Sequence, residues 1–259
     1  MKNLRFLMPL VAVLLVSSCK KKDTVAAPEP PEEIKKSPFL PDSTSFTING
    51  KRYTNALITP GTSRGYGNSG VNLQFGNTNG EWSIGSGDGY WVGEVDSVQY
   101  SSISKTKLEH DEGAITVSFI KKYKKVNISK LGSMYYPKVG DNFFTLGDYP
   151  YAVDYERTGK DEGVAINLFL NSHTLTSYSQ LSISTPSQLT AKSHSNSKFK
   201  ILKIEEIKGT DFIILEAAFE ATLFDKNENG VKVTDGFFRI TTPKHGERLD
   251  SFTLLYLYL

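Results

Sequence analysis

Trp82, Asp88, Tyr90 and Trp91 lie close together in the chain, and their side chains suit contact with a ligand rather than bond breaking. Indole and phenol rings stack flat on a sugar or another apolar face, and each keeps a polar edge. Asp88 adds a hydrogen-bond acceptor beside them. Gly85, Gly87, Gly89 and Gly93 are interleaved with these residues and read as a glycine-rich loop free to present the aromatics. If the segment is extended, adjacent residues face opposite ways, so Tyr90 and Trp91 belong on opposite faces. The plainer alternative packs both rings inward and leaves the glycines to make turns.

Other residue patterns carry less chemistry. Glu81, Asp88, Glu94 and Asp96 surround the two tryptophans, and glycosidases use paired carboxylates that the fold brings together. Asp225-x-Asn227-x-Asn229-Gly230 matches the first half of a calcium loop, yet the twelfth position is Gly236 rather than a bidentate carboxylate. A plain turn is expected there. His110, His173, His194 and His245 are scattered without ligand spacing, and the only cysteine is Cys19, so neither a metal nor a cofactor is expected. Gly65-Tyr66-Gly67-Asn68-Ser69-Gly70 spells a dinucleotide motif. It precedes the alternating run Val71 to Phe75 rather than a helix, which points to a loop.

The first residues say where the chain resides. Lys2 and Arg5 precede an apolar run from Leu7 to Val16 that is too short to cross a hydrocarbon layer of roughly 30 Å. Val16-Ser17-Ser18 then lead into Cys19. This segment resembles a bacterial lipoprotein signal peptide. The resemblance implies cleavage before Cys19 and acylation of its thiol and new amino group, palmitate included. Several acyl chains on one residue hold a protein to a membrane effectively for good. With Cys19 lipidated, no disulfide can form. Residues 20–41 carry Pro28, Pro30, Pro31, Pro38 and Pro41 and read as an extended tether.

Removing residues 1–18 takes away Lys2 and Arg5 and leaves acidic and basic residues balanced, so no electrostatic case for nucleic acid arises. A hydrophobic content of 39% with 12% aromatics supports a packed core. Residues 42–259 read as one all-β domain, an antiparallel sandwich or barrel of about a dozen short strands. Phe46 and Ile48 alternate up to Asn49-Gly50, a hairpin signal. A second hairpin is expected from Val71, Leu73 and Phe75 through residues 77–80 to Trp82 and Ile84. Ile115, Val117 and Phe119 share one strand face, and Lys121 to Lys125 continue as an edge or protruding segment that discourages pairing. A short helix is expected over 141–146 and a long polar strand over 174–184. Phe199 to Lys203 and Phe212 to Phe224 should pair. Val231 to Ile240 returns after the 225–230 turn, and Ser251 to Leu259 closes the chain.

Several pieces resemble the β-rich outer-membrane lipoproteins of Bacteroidota that carry no assigned activity. They are the lipobox, Phe46-x-Ile48-Asn49-Gly50, Phe119-Ile120-Lys121-Lys122, Gly147-Asp148-Tyr149-x-Tyr151-Ala152 and Val233-Thr234-Asp235-Gly236-x-Phe238. The resemblance implies a lipid-anchored, outer-membrane, β-rich protein and transfers no catalytic residue. The expected role is a non-enzymatic module that binds a glycan, a peptide or a partner protein. A hydrolase of polysaccharide or peptidoglycan is the alternative.

Overall fold

The computed structural model describes residues 42–55, 64–66, 70–71, 73–75, 82–84, 87–91, 97–131, 134–138, 143–157, 159–182 and 184–244. Cys19, the tether and the closing segment 251–259 lie outside them. In chain order the strands are β1 (Ser43–Ile48), β2 (Lys51–Thr54), β3 (Arg64–Tyr66), β4 (Gly70–Val71), β5 (Leu73–Phe75), β6 (Trp82–Ile84), β7 (Gly87–Trp91), β8 (Ser97–Lys107) and β9 (Gly113–Lys124). They continue as β10 (Ile128–Leu131), β11 (Met134–Pro137), β12 (Gly147–Tyr149), β13 (Gly163–Leu170), β14 (His173–Thr176), β15 (Lys198–Glu206), β16 (Phe212–Phe224) and β17 (Gly230–Pro243). Among the described residues the helical segments are three short 3-10 turns.

One antiparallel sheet runs β2-β1-β17-β16-β14-β13-β9-β8-β3, with β15 and β12 branching from β16. Alternation builds its core. Ile213, Leu215, Ala217, Phe219, Ala221 and Leu223 of β16 share the inner face with Ile240, Phe238 and Val233 of β17. Across the interior, Val164, Ile166 and Leu168 stand opposite Phe119, Val117 and Ile115. Burying each such side chain contributes about 1.5–3 kcal/mol relative to exposure. Two bulges beside β16, at Leu202 in β15 and at Thr234–Asp235 in β17, add twist and help curl the sheet into a half-barrel. The curl brings its ends close enough for Asn55 to bridge to Leu108 and for Lys51 to pair with Glu112. Of the two architectures expected, the curled sheet prevails over stacked layers.

Asn49 and Gly50, with φ of 49° and 77°, make the turn foreseen for the first hairpin. Other expectations are corrected. Val71 belongs to β4 on the edge of β8, and β5 and β6 pair with β7 rather than with each other. The stretch expected to be a glycine-rich loop is therefore the central strand of that small sheet. Arg64–Tyr66 and Gly70–Val71 likewise pair with β8 instead of looping, because the backbone groups of β8 on the side away from β9 offer a ready ladder. The Lys121–Lys124 end of β9 is the expected edge: it is paired to β8, its β13 side is open beyond Ile120, and there Glu162 accepts the Lys122 N–H at 2.6 Å. The Lys121 ammonium lies over the Tyr123 ring, 5.5 Å from its centroid, a cation–π contact. Residues 143–146 are irregular rather than helical, since Phe143 and Phe144 both turn into the core. The long strand expected over 174–184 stops at Thr176.

After Thr176 the chain crosses the outer face. There Ile120, Ala152, Tyr155, Ala165 and Tyr178 form a second, smaller apolar cluster. Residues 150–157 and 177–182 thus act as straps over β9 and β13. Gln99 donates to the Asp161 carbonyl at 2.7 Å, and Tyr155 donates to Ser101 Oγ at 3.4 Å.

Candidate functional site

The small sheet has the order β5-β7-β6 and carries the residues singled out for ligand contact. Its register sets Leu73 opposite Trp91, Phe75 opposite Gly89, and Gly89 opposite Trp82, with Ile84 opposite Gly87. These positions share one face and are apolar or glycine. Gln74 pairs with Tyr90 and Ser83 with Asp88, so the other face is polar. Tyr90 and Trp91 occupy opposite faces, as an extended segment requires. The four candidates therefore divide: Trp82 and Trp91 fall on the apolar face, Asp88 and Tyr90 on the polar one. Leu73, Phe75 and Ile84 join the tryptophans' face, a grouping visible in their alternation but hidden by the wrong partner assignment. Glu81, Glu94 and Asp96 lie outside the described residues.

A cleft of about 530 Å³ opens elsewhere, between two hairpin ends. β14 and β16 pair at a single position, Thr176 with Phe224, and beyond it they diverge. One wall is the β13–β14 end, where Asn171 and Ser172 turn with φ of 47° and 67°. The other is the turn that joins β16 to β17. Gln180 braces the gap, its Nε2 donating to the carbonyls of Thr174 at 3.3 Å and Phe224 at 2.9 Å. Leu175 and Val231, both packed on the core, form the apolar part of the lining.

The second wall contains the sequence that mimics a calcium loop. Asp225 Oδ1 accepts the backbone N–H groups of Asn227 and Asn229 at 2.8 and 2.9 Å, and Oδ2 accepts Asn229 Nδ2 at 3.0 Å. The carboxylate is thus spent on its own turn, and the bonds from Asn229 hold its pKa below the ordinary value. Among the described residues, no group of three or more His, Cys, Asp or Glu is placed to hold a metal ion.

Glu228, at φ 63°, anchors the loop beneath this turn. Partial burial opposes its charge. Hydrogen bonds from Ser179, Ser187 and the Gln188 N–H, with Arg157 nearby, outweigh that cost and lower its pKa. Because the unfolded carboxyl takes up a proton first, this contribution to stability is present above about pH 4.5 and is lost as pH falls through the folded value. Melting curves should show the domain weakening in acid, and Glu228→Gln should reduce the difference between the neutral and acidic melting temperatures.

Of the four histidines, His194 is buried. Its Nε2–H donates to the Ser177 carbonyl at 2.7 Å, and its Nδ1 accepts from Ser197 Oγ at 3.1 Å. Ser197 Oγ in turn accepts the Thr222 N–H at 3.0 Å. These partners assign the tautomer. The ring stacks on Tyr151 at 4.4 Å and meets Phe224 edge-on at 5.6 Å. Burial lowers the imidazole pKa, partly offset by the Ser177 carbonyl, and raises that of the Tyr151 phenol. Both nitrogens are bonded within the protein, so His194 ties the strap to the sheet.

On the outer face Asp161 is pushed toward protonation by burial and by the neighbouring Asp154 carboxylate, with which it shares a hydrogen bond. Asp154 also accepts the Lys160 and Asp161 N–H groups at 2.7 and 3.1 Å, which marks a loop-closing role. Neither carboxylate lines the cleft. No family model, no curated protein and no solved structure matches this chain.

Proposed function

We propose that the protein is a non-enzymatic binding module of the cell envelope, held at the outer membrane through acylated Cys19, and that it contacts glycans with the small sheet. The observation that carries this reading is the row Phe75–Gly89–Trp82 in the β5-β7-β6 register. Two aromatics flank a residue with no side chain, at positions roughly 10 Å apart across three strands. Trp91 lies on the same face one register step away. Aromatic positions on either side of a glycine suit stacking on the C–H face of a flat sugar ring, which supplies attraction without a reaction.

Two variants test the reading. Cys19→Ser should lose incorporation of labelled palmitate and leave the membrane fraction. Unlabelled wild type would end the anchoring argument. Trp82→Ala should lower retention on immobilised peptidoglycan or insoluble polysaccharide by about tenfold, with an unchanged melting temperature. Release of soluble sugar during that assay would favour the hydrolase alternative instead.

A further inference from the structure

The cleft between the two hairpin ends has the makings of a second site, separate from the small sheet. Its two amide side chains are both half-committed in the same sense. Gln180 uses Nε2 on the carbonyls of Thr174 and Phe224, and Asn229 uses Nδ2 on Asp225. In each case the bonded atom is the donor, so the carbonyl oxygen is the atom left to serve a ligand. Two acceptors thus belong to residues around a space that Ser172, His173 and Thr174 also line. The formal charges nearest them, Asp225 and Lys226, are opposite in sign, and Asp225 already accepts three hydrogen bonds from its own turn. Leu175 and Val231 supply an apolar surface alongside.

This combination matches one kind of molecule. Acceptors recognise hydroxyl donors, hydroxyls serve either role, and the apolar residues receive C–H groups. The absence of a net formal charge between Asp225 and Lys226 gives no premium to an ionic ligand. The volume of about 530 Å³ falls within the range of roughly 300–1,000 Å³ typical of small-molecule sites. The walls are also braced in advance. The Asp225 turn and the Gln180 brace are made by internal hydrogen bonds, so little ordering is left for the ligand to supply.

We propose that this cleft binds a neutral pyranoside, mono- or disaccharide in size, with its hydroxyls on the carbonyls of Gln180 and Asn229 and its C–H face toward Leu175 and Val231. The inference rests on the binding-module reading but uses a different surface.

Saturation-transfer NMR on the detergent-solubilised full chain tests it. The neutral probes are the methyl glycosides of glucose, galactose, mannose and N-acetylglucosamine, and methyl glucuronide is the anionic one. At least one neutral glycoside should take up saturation. Thr174→Trp, at an exposed position on the cleft wall, should fill the space and weaken that binding by about tenfold with an unchanged melting temperature. Lys226→Trp fills it from the opposite wall, should Thr174→Trp melt early. Lys226→Ala should leave neutral binding within about twofold.

The proposal is overturned if no neutral glycoside binds, if both tryptophan variants bind like wild type, or if only the glucuronide binds and Lys226→Ala abolishes it. Binding that survives Thr174→Trp and Lys226→Trp but disappears in Trp82→Ala would overturn the cleft and leave the small sheet's role intact.

Discussion

Replacing Phe119 by Ala is expected to cost about 3–5 kcal/mol, the range for deleting a buried phenyl ring. Phe119 is 2% exposed and faces into the half-barrel from β9. Its ring meets Phe144 at 5.1 Å, Phe199 at 5.7 Å, Tyr149 at 6.1 Å and Phe238 at 6.4 Å. Those partners come from β12, β15, β17 and the irregular 143–146 segment. One side chain therefore ties one wall of the curled sheet to the other. Removing it leaves a void that backbone ladders on both sides prevent from collapsing. A domain of this kind is stable by about 5–15 kcal/mol, so the loss is a large fraction of the total. Phe169→Ala is the control, because that ring is 48% exposed and should move stability by well under the Phe119 effect. Urea denaturation of both variants checks the contrast, and equal losses would mean that the interior packing is misassigned.

Gly163→Ala should be comparably damaging for a different reason. Gly163 opens β13 with φ of 128°, and a Cβ there would stand 2.0 Å from the Pro150 carbonyl oxygen. The strap cannot yield cheaply. Val164 N–H donates to Pro150 O at 2.9 Å, and Ala152 N–H donates to Val164 O at 3.0 Å. Moving the strap would also pull Tyr151 from its stack with His194 and from the Glu220 carbonyl, which its hydroxyl reaches at 3.0 Å. It would also displace Ala152 from the outer cluster. Destabilisation of about 4 kcal/mol or more is expected, in the range reserved for backbone strain combined with lost core contacts. Gly209→Ala is the matched control. Gly209 has φ of 80° and nothing within 4 Å of its would-be Cβ, so only the left-handed conformation is penalised, by about 1–2 kcal/mol. Thermal melts of the pair separate steric conflict from conformational preference.

Local pattern determined a good deal of this protein. Strict alternation in Ile213 to Leu223 and in Val164 to Leu168 defines strands and their inner face, because a period of two has one backbone solution. Asn49-Gly50 specified its hairpin, since both residues accept positive φ. The Asp225 turn was legible too, through the missing carboxylate at position 236 and the preference of Asp and Asn for bonding nearby N–H groups.

Partner choice was not legible. Leu73–Phe75 and Trp82–Ile84 are good strands with a turn-favouring sequence between them, yet both pair with Gly87–Trp91. Glycine carries no face pattern, so its strand was invisible until neighbours supplied the ladder. Tertiary structure likewise ended the strand at Thr176, where the Ser177 carbonyl goes to His194 and Tyr178 turns onto the outer cluster. The cleft belongs wholly to that level. Its walls are residues 172–175 and 225–231, far apart in sequence, and they approach only because β14 meets β16 at one pair and then diverges. A side chain's type sets what it can bond, but the curl of the sheet decides which side chains share a space.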